Sequence, residues 1–327
     1  MTGLLTYQTP DDSSLKLDYS SKDTAHQCLR KYLLSHILDL KPDQGSSALR
    51  YGSVWHRTME AFYANIKDHG WTHDGGAITD AILQANTSWE EETRQHFTWY
   101  NDYRTLQNLL QAFQCYINEF VADENHLKVI AVEQPFKLPM ILSPAEQHRF
   151  PYLKPFWFTG VIDMEIYYDG RYWQLDHKTT GQPMSTQLSR LQRSAQSIGY
   201  TYAGSQVLEE IPEGHFITLH HLSAYKSKTT GEYGKPKIEF RRVPMIYSQD
   251  DINSWRQNFL ESAQRIMLAI DHDNFPCEHG SCYTYGRCSF SDICDRNLTE
   301  RETRHTLEIR GFENYHVGDH WDPAKNL

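Results

Sequence analysis

The chain has 327 residues, with 42 acids against 32 bases and a net charge of −10. That length supports a large core, in one elaborated domain or two closely joined ones, and 20 Tyr, 14 Phe and 8 Trp help to fill it. The charge excludes a protein that coats nucleic acid electrostatically, and no apolar run approaches the length of a membrane span. The N-terminal MTGLLTYQTPDDSS lacks a basic region followed by an apolar one, so the expectation is a cytoplasmic protein with no membrane partner.

In chain order, residues 23–39 (DTAHQCLRKYLLSHILD) have helical periodicity, with Asp23 or Thr24 as N-cap. Residues 52–68 (GSVWHRTMEAFYANIKD) predict a second helix, and 77–95 and 102–122 two more. The period then shortens: 128–140, 156–170 and 171–178 read as strands, the last two joined in a hairpin by Asp169-Gly170. A helix is expected over about 186–209, strands near 215–225 and 236–246, and a helix over 250–271. The tail after 300 is charged and aromatic without a clear period. Helices, three strands, then helix, strand and strand make a mixed α/β core with a helical N-terminal elaboration. The expected division is a helical region 1–127, a core 128–249, a helix and cysteine-rich segment 250–299, and a tail 300–327.

Chemistry concentrates around WQLDHKTTG, residues 173–181. Residues two apart share a strand face, so Asp176 and Lys178 stand together while the His177 side chain turns away. By themselves these two are equally an edge-strand ion pair of little worth. Asp163 changes the weighing. It lies in the preceding strand among Val161, Ile162, Met164 and Ile166, where an unpaired carboxylate costs several kcal/mol. A cation shared with Asp176 holds both acids, and a salt bridge to Lys178 is the alternative. His56 lies one helical turn from Gly52 and one from Glu60. Glu133 is an acid inside an apolar strand, and Gln196 and Tyr200 share a helix face as i and i+4.

Two further features stand out. KSKTTGEYGKPKIEFRR, residues 226–242, is locally basic in an acidic chain. Four of the six cysteines, Cys277, Cys282, Cys288 and Cys294, fall within eighteen residues, and in an intracellular chain such clustering points to metal more than to disulfides. Cys28 and Cys115 lie far upstream, and Cys115 is expected in the core.

In their order, Gly52/His56, Glu133, Gly160/Asp163, Asp176/Lys178 and Gln196/Tyr200 resemble the PD-(D/E)XK nuclease superfamily in its RecB/AddB-like branch. That branch includes CRISPR adaptation nucleases and stand-alone phage exonucleases, and the resemblance covers about residues 24–296. It implies a restriction-endonuclease-like mixed sheet flanked by helices. It also implies a DNA exonuclease using Mg²⁺ or Mn²⁺, in a bacterial or phage-infected cell. His56, Asp163, Asp176 and the His177 backbone carbonyl would be metal ligands and Lys178 the charge-stabilising group. Glu133, Gln196 and Tyr200 would support them. It further implies a 4Fe-4S cluster on Cys28, Cys282, Cys288 and Cys294, clasping the two ends of the chain. The spacing C-x5-C-x5-C replaces the branch's C-x2-C-x5-C, so Cys277 and Cys282 are alternatives for one position, and zinc also suits four thiolates. Single-stranded or frayed DNA is the expected substrate. No G-x4-G-K-[ST] motif occurs, so unwinding needs a helicase or recombination partner. The alternatives are a nuclease-fold binding or scaffold subunit and an RNA-directed nuclease.

Overall fold

Local signals set most of the elements in the computed structural model, which describes residues 9–42, 46–72, 74–95, 102–207, 211–283, 287–294, 299–310, 315–318 and 322. A short strand β1 (Lys16–Leu17) leads into helix α1 (Tyr19–Gln27), opened by a capping box between Asp18 and Ser21. The expected single helix over 23–39 therefore starts earlier, and it breaks at Cys28, whose backbone is extended. A short helix α2 (Leu29–Tyr32), a π-helical turn (Leu33–Ile37) and β2 (Leu40–Pro42) follow. Next come α3 (Ser47–His69), α4 (Gly76–Gln95), α5 (Leu106–Glu119) and α6 (Asp123–His126).

The strands match expectation closely: β3 (Leu127–Met140), β4 (Phe156–Tyr168) and β5 (Arg171–Thr180), with α7 (Pro144–Arg149) between the first two. Both turn residues of the β4–β5 hairpin have positive φ, 50° at Asp169 and 75° at Gly170, the conformation an Asp-Gly turn supplies. The helix expected over 186–209 is two, α8 (Met184–Leu191) and α9 (Ala195–Val207), and its last residues, 208 and 209, lie outside the described residues. Then follow β6 (His215–Ser223), β7 (Lys237–Met245) and α10 (Gln249–Asp271). The tail holds α11 (Glu300–Arg310) and β8 (Tyr315–Val317).

These elements form two compact units. The unit of residues 44–134 and 161–248 carries β4, β5, β6 and β7 side by side, with β4/β5 and β6/β7 antiparallel and β5/β6 parallel. The parallel step requires a crossover, which α8 and α9 provide. One sheet face buries Met164, Ile166, Trp173, Leu175 and Phe216 against Trp55, Phe62 and Phe113 of α3 and α5. On the other, Ile217, Leu219 and Met245 pack with Leu191 of α8. Because side chains alternate, Asp163, Asp176 and Lys178 project from the face opposite the Trp55 core.

The other unit comprises residues 1–43, 135–160 and 249–327. Its core is aromatic: Phe158 packs 4.8 Å from Phe259 and 5.0 Å from Phe136, and Trp255 lies 5.0 Å from Phe259. β1 pairs in parallel with the start of β4, and β2 pairs antiparallel with β8. No helix is long and apolar enough to cross a membrane.

Candidate active site

The hairpin register builds the centre. Met164 pairs with Leu175, so one step further along the antiparallel ladder Asp163 faces Asp176. The Asp163 Oδ2 accepts from the His177 backbone N–H at 3.2 Å and lies 3.2 Å from His56 Nδ1. Lys178 Nζ donates to Asp176 Oδ1 at 2.8 Å. The second oxygen of Asp176 is buried and has no hydrogen-bond partner among the described residues.

Helix α3 reaches the strand because Gly52 has no side chain. A Cβ there would sit 3.1 Å from Thr179 Oγ1. One turn on, His56 meets Asp163, and one turn further Glu60 stands exposed at the rim. Glu60 joins the expected site residues here, at the i+4 spacing from His56 that the sequence itself displays. From the other side, α9 presents Tyr200, whose phenol is bonded by the Gln196 side chain and interacts with Lys178, Asp163 and Asp176. The Tyr200 carbonyl accepts from Gln174 Nε2 at 3.1 Å. Glu133 completes the acid group. Its φ is +49°, a left-handed conformation costing about 1–3 kcal/mol in a non-glycine residue. The buried positions of β3 switch from odd to even numbers around it. All seven predicted site residues of this centre therefore converge.

Their charges conflict. Burial pushes the Asp163 carboxyl up, but His56 and Lys178 outweigh it and hold the group well below the usual range. Asp176 is pushed up by burial and by Asp163. Glu133 rises to about 8, from burial first and then Asp163 and Glu60. Burial disfavours charge on His56 and Lys178, yet the neighbouring aspartates raise both. A cluster of carboxylates with an orphaned buried oxygen is short of positive charge, and a divalent cation with oxygen ligands fits that deficit. The His177 ring lies on the opposite face. It accepts or donates at 3.1 Å with Tyr116 Oη, and burial lowers it to about 3.

Behind His177 lies a satisfied polar chain. Tyr116 Oη meets Tyr63 Oη at 2.6 Å and accepts from Arg242 Nη2 at 3.1 Å. Arg242 Nη1 donates to both Asp123 oxygens at 2.9 and 2.8 Å, and its Nε to Thr218 Oγ1 at 3.0 Å. Its members are scattered over five elements, so no local spacing in the sequence announces it.

The other unit gathers the cysteines. Cys277 Sγ lies 3.6 Å from Cys294 Sγ, and the Glu278 N–H donates to Cys28 Sγ at 3.4 Å. The Cys288 N–H donates to the Cys282 carbonyl at 2.8 Å. Burial raises the Cys277 thiol, with Cys294, Cys28 and Cys282 adding to it. Burial likewise raises Cys294, beside Cys28 and Cys288. Cys277, His279 and Cys282 bring their ligand atoms within 4.8 Å of one another. Thiols raised in this way become thiolates when a cation binds them, and soft thiolate ligands suit zinc or an iron–sulfur group. Cys277 is thus a fifth thiol in the group with Cys28, Cys282, Cys288 and Cys294. Cys115 is only half-buried on α5.

Comparison with known proteins supplies the frame for this geometry. No curated protein matches the chain. A solved structure titled "Crystal structure of SSO0001" is similar over 76% of this chain and 85% of its own, at 12% identity and a TM-score of 0.31, too low to carry an argument. The family profile described as the PD-(D/E)XK nuclease superfamily matches residues 17–295. The chain belongs to the PD-(D/E)XK nuclease superfamily, whose nucleases use divalent metals such as Mg²⁺ or Mn²⁺.

Proposed function

We propose that this protein is a divalent-metal-dependent DNA exonuclease of the RecB/AddB-like branch, acting on single-stranded or frayed ends. The observation that carries this is the meeting of His56, Asp163, Asp176 and Lys178, with one Asp176 oxygen left without a donor. His56, Asp163, Asp176 and the His177 carbonyl would hold Mg²⁺ or Mn²⁺, the imidazole favouring Mn²⁺. When bound, such an ion makes water more acidic and offsets charge on a phosphodiester.

The chain's own groups do the rest. Lys178, kept charged by Asp176 and Asp163, orients the attacking water and opposes charge building on phosphorus. Tyr200 and Gln196 position the phosphate from the helix side. Glu133 and Glu60, both raised by burial, would be ionised by a bound cation and add negative charge around it. In the second unit, Cys28 with Cys282 or Cys277, Cys288 and Cys294 would hold a 4Fe-4S cluster. That cluster ties residues near both ends of the chain and has no catalytic part.

The test is digestion of end-labelled single strands, duplexes and closed circles with Mn²⁺. Linear single strands are cut, closed circles are not, and EDTA abolishes cutting. Near-normal turnover by Asp176→Ala would refute the assignment.

A further inference from the structure

We propose that Gln174 is a positioning residue for the hydrolysis: its buried side-chain amide, oriented by His215, seats helix α9 so that the Tyr200 phenol is presented to Lys178. The inference rests on the nuclease reading and adds how the helix side of its centre is held. Gln174 precedes Asp176 by two residues and Lys178 by four on β5, so the three side chains share a strand face. It is completely buried. Further along that face, Ile217 and Leu219 of β6 pack with Leu191, so an apolar side chain would suit the position. A buried amide is unfavourable there unless it is bonded. Its two bonds account for its presence.

Nε2 donates to the Tyr200 carbonyl at 3.1 Å, and Oε1 lies 3.4 Å from His215 Nδ1. A carbonyl only accepts, so Tyr200 fixes which end of the amide is the NH2 group. The other end is then the oxygen, and the Nδ1 facing it carries the proton. Burial keeps the His215 ring neutral, lowered to about 3. Its Nε2 is therefore bare, and it has no hydrogen-bond partner among the described residues. The sheet holds the ring in place, because His215 pairs with Gln174 and the Gln174 N–H donates to the Gly214 carbonyl at 3.1 Å. α9 needs such an anchor. It buries Ser197, Gly199, Thr201, Ala203 and Gly204, side chains too small to index a helix along a sheet. Tyr200 is the one large side chain buried among the described residues of α9. That residue supplies both the carbonyl that Gln174 holds and the phenol that interacts with Lys178, Asp163 and Asp176. A sliding α9 carries the phenol away, and a misplacement of about 1 Å costs up to about a hundredfold in rate.

The experiment is a double-mutant cycle with Gln174→Met, which keeps the length of the side chain and removes both bonds. With Mn²⁺ and saturating end-labelled single strands, its single-turnover rate falls about tenfold, while the half-saturating strand and Mn²⁺ concentrations stay within about twofold. In a Tyr200→Phe background the same substitution changes the rate less than about twofold, because the group it places is gone. Hydrogen exchange quickens in α9 and not in α3. Nitrogen-15 spectra of the wild type show a neutral His215 with its proton on Nδ1, which tests the orientation without any variant. A wild-type rate in Gln174→Met overturns the positioning role. So does an undiminished tenfold loss in the Tyr200→Phe background, the mark of an amide that only stabilises the fold. A proton on Nε2 overturns the orientation by His215. If the wild type cuts single strands and these comparisons fail, only the positioning role falls. If the wild type cuts nothing, the nuclease reading falls and takes the role with it.

Discussion

Replacing Asp123 with alanine tests the polar chain behind the site. Its carboxylate accepts two bonds from Arg242, and the two side chains are only 5% and 6% exposed. Removing one partner of such a pair leaves an uncompensated buried guanidinium, a loss of about 3–5 kcal/mol. The lower end applies here, because Asp123 borders a cavity of about 270 Å³ that also touches Phe62, Tyr63 and Tyr116, where water can solvate the stranded charge. At 2–4 °C per kcal/mol, the melting temperature falls by about 10 °C. Thermal melting followed by circular dichroism reads this directly. Combining Asp123→Leu with Arg242→Met removes both charges and should regain at least about half the loss, even though the bonds to Thr218 and Tyr116 go too. A single variant within about 1 kcal/mol of wild type, or a double variant less stable than the single, refutes the reasoning.

Asp163→Ala and Lys178→Ala should each cut the hydrolysis rate by at least about a hundredfold while the chain still folds, read by single-turnover assay beside circular dichroism. Burial holds His215 and His220 near about 3 in the fold, against about 6.5 unfolded. The unfolded chain thus binds more protons in that window, and their contribution is complete above pH 6.5 and lost as pH falls toward 3. The two together steepen the loss by up to about 2.7 kcal/mol per pH unit, and His220→Leu should halve that slope in urea titrations at pH 7, 6 and 5. Anaerobically purified protein should be brown, and Cys28→Ala should lose both colour and thermal stability while Lys178→Ala keeps its colour. Zinc without iron in elemental analysis would remove the iron–sulfur proposal.

The centre of the site was legible because a hairpin converts spacing into geometry. Asp169-Gly170 sets the turn, and the turn sets Asp163 opposite Asp176. What depended on non-local closure was hidden. Nothing in the periodicity of 23–39 marks the break at Cys28, where the helix yields to place a thiol among residues some 250 positions later. The left-handed Glu133 likewise leaves no mark in an apolar strand. Other omissions had signals. Ser143-Pro144 with Glu146 is a capping box that starts α7, and Thr299 with Glu302 starts α11 the same way. Both helices are short or charged, with no apolar stripe to draw notice.

Gly52 makes the distance between helix and strand depend on a single missing carbon. With a methyl group there, Thr179 must yield by a few tenths of an ångström. If it cannot, α3 moves outward and carries His56 and Glu60 with it as one rigid arm, since both lie on the same helical face. The reach of the imidazole toward Asp163 is therefore a tolerance of the backbone packing, adjustable from a position that touches no substrate. Swapping only that glycine for alanine or serine offers a graded way to widen the cleft while every ionisable group stays in the sequence.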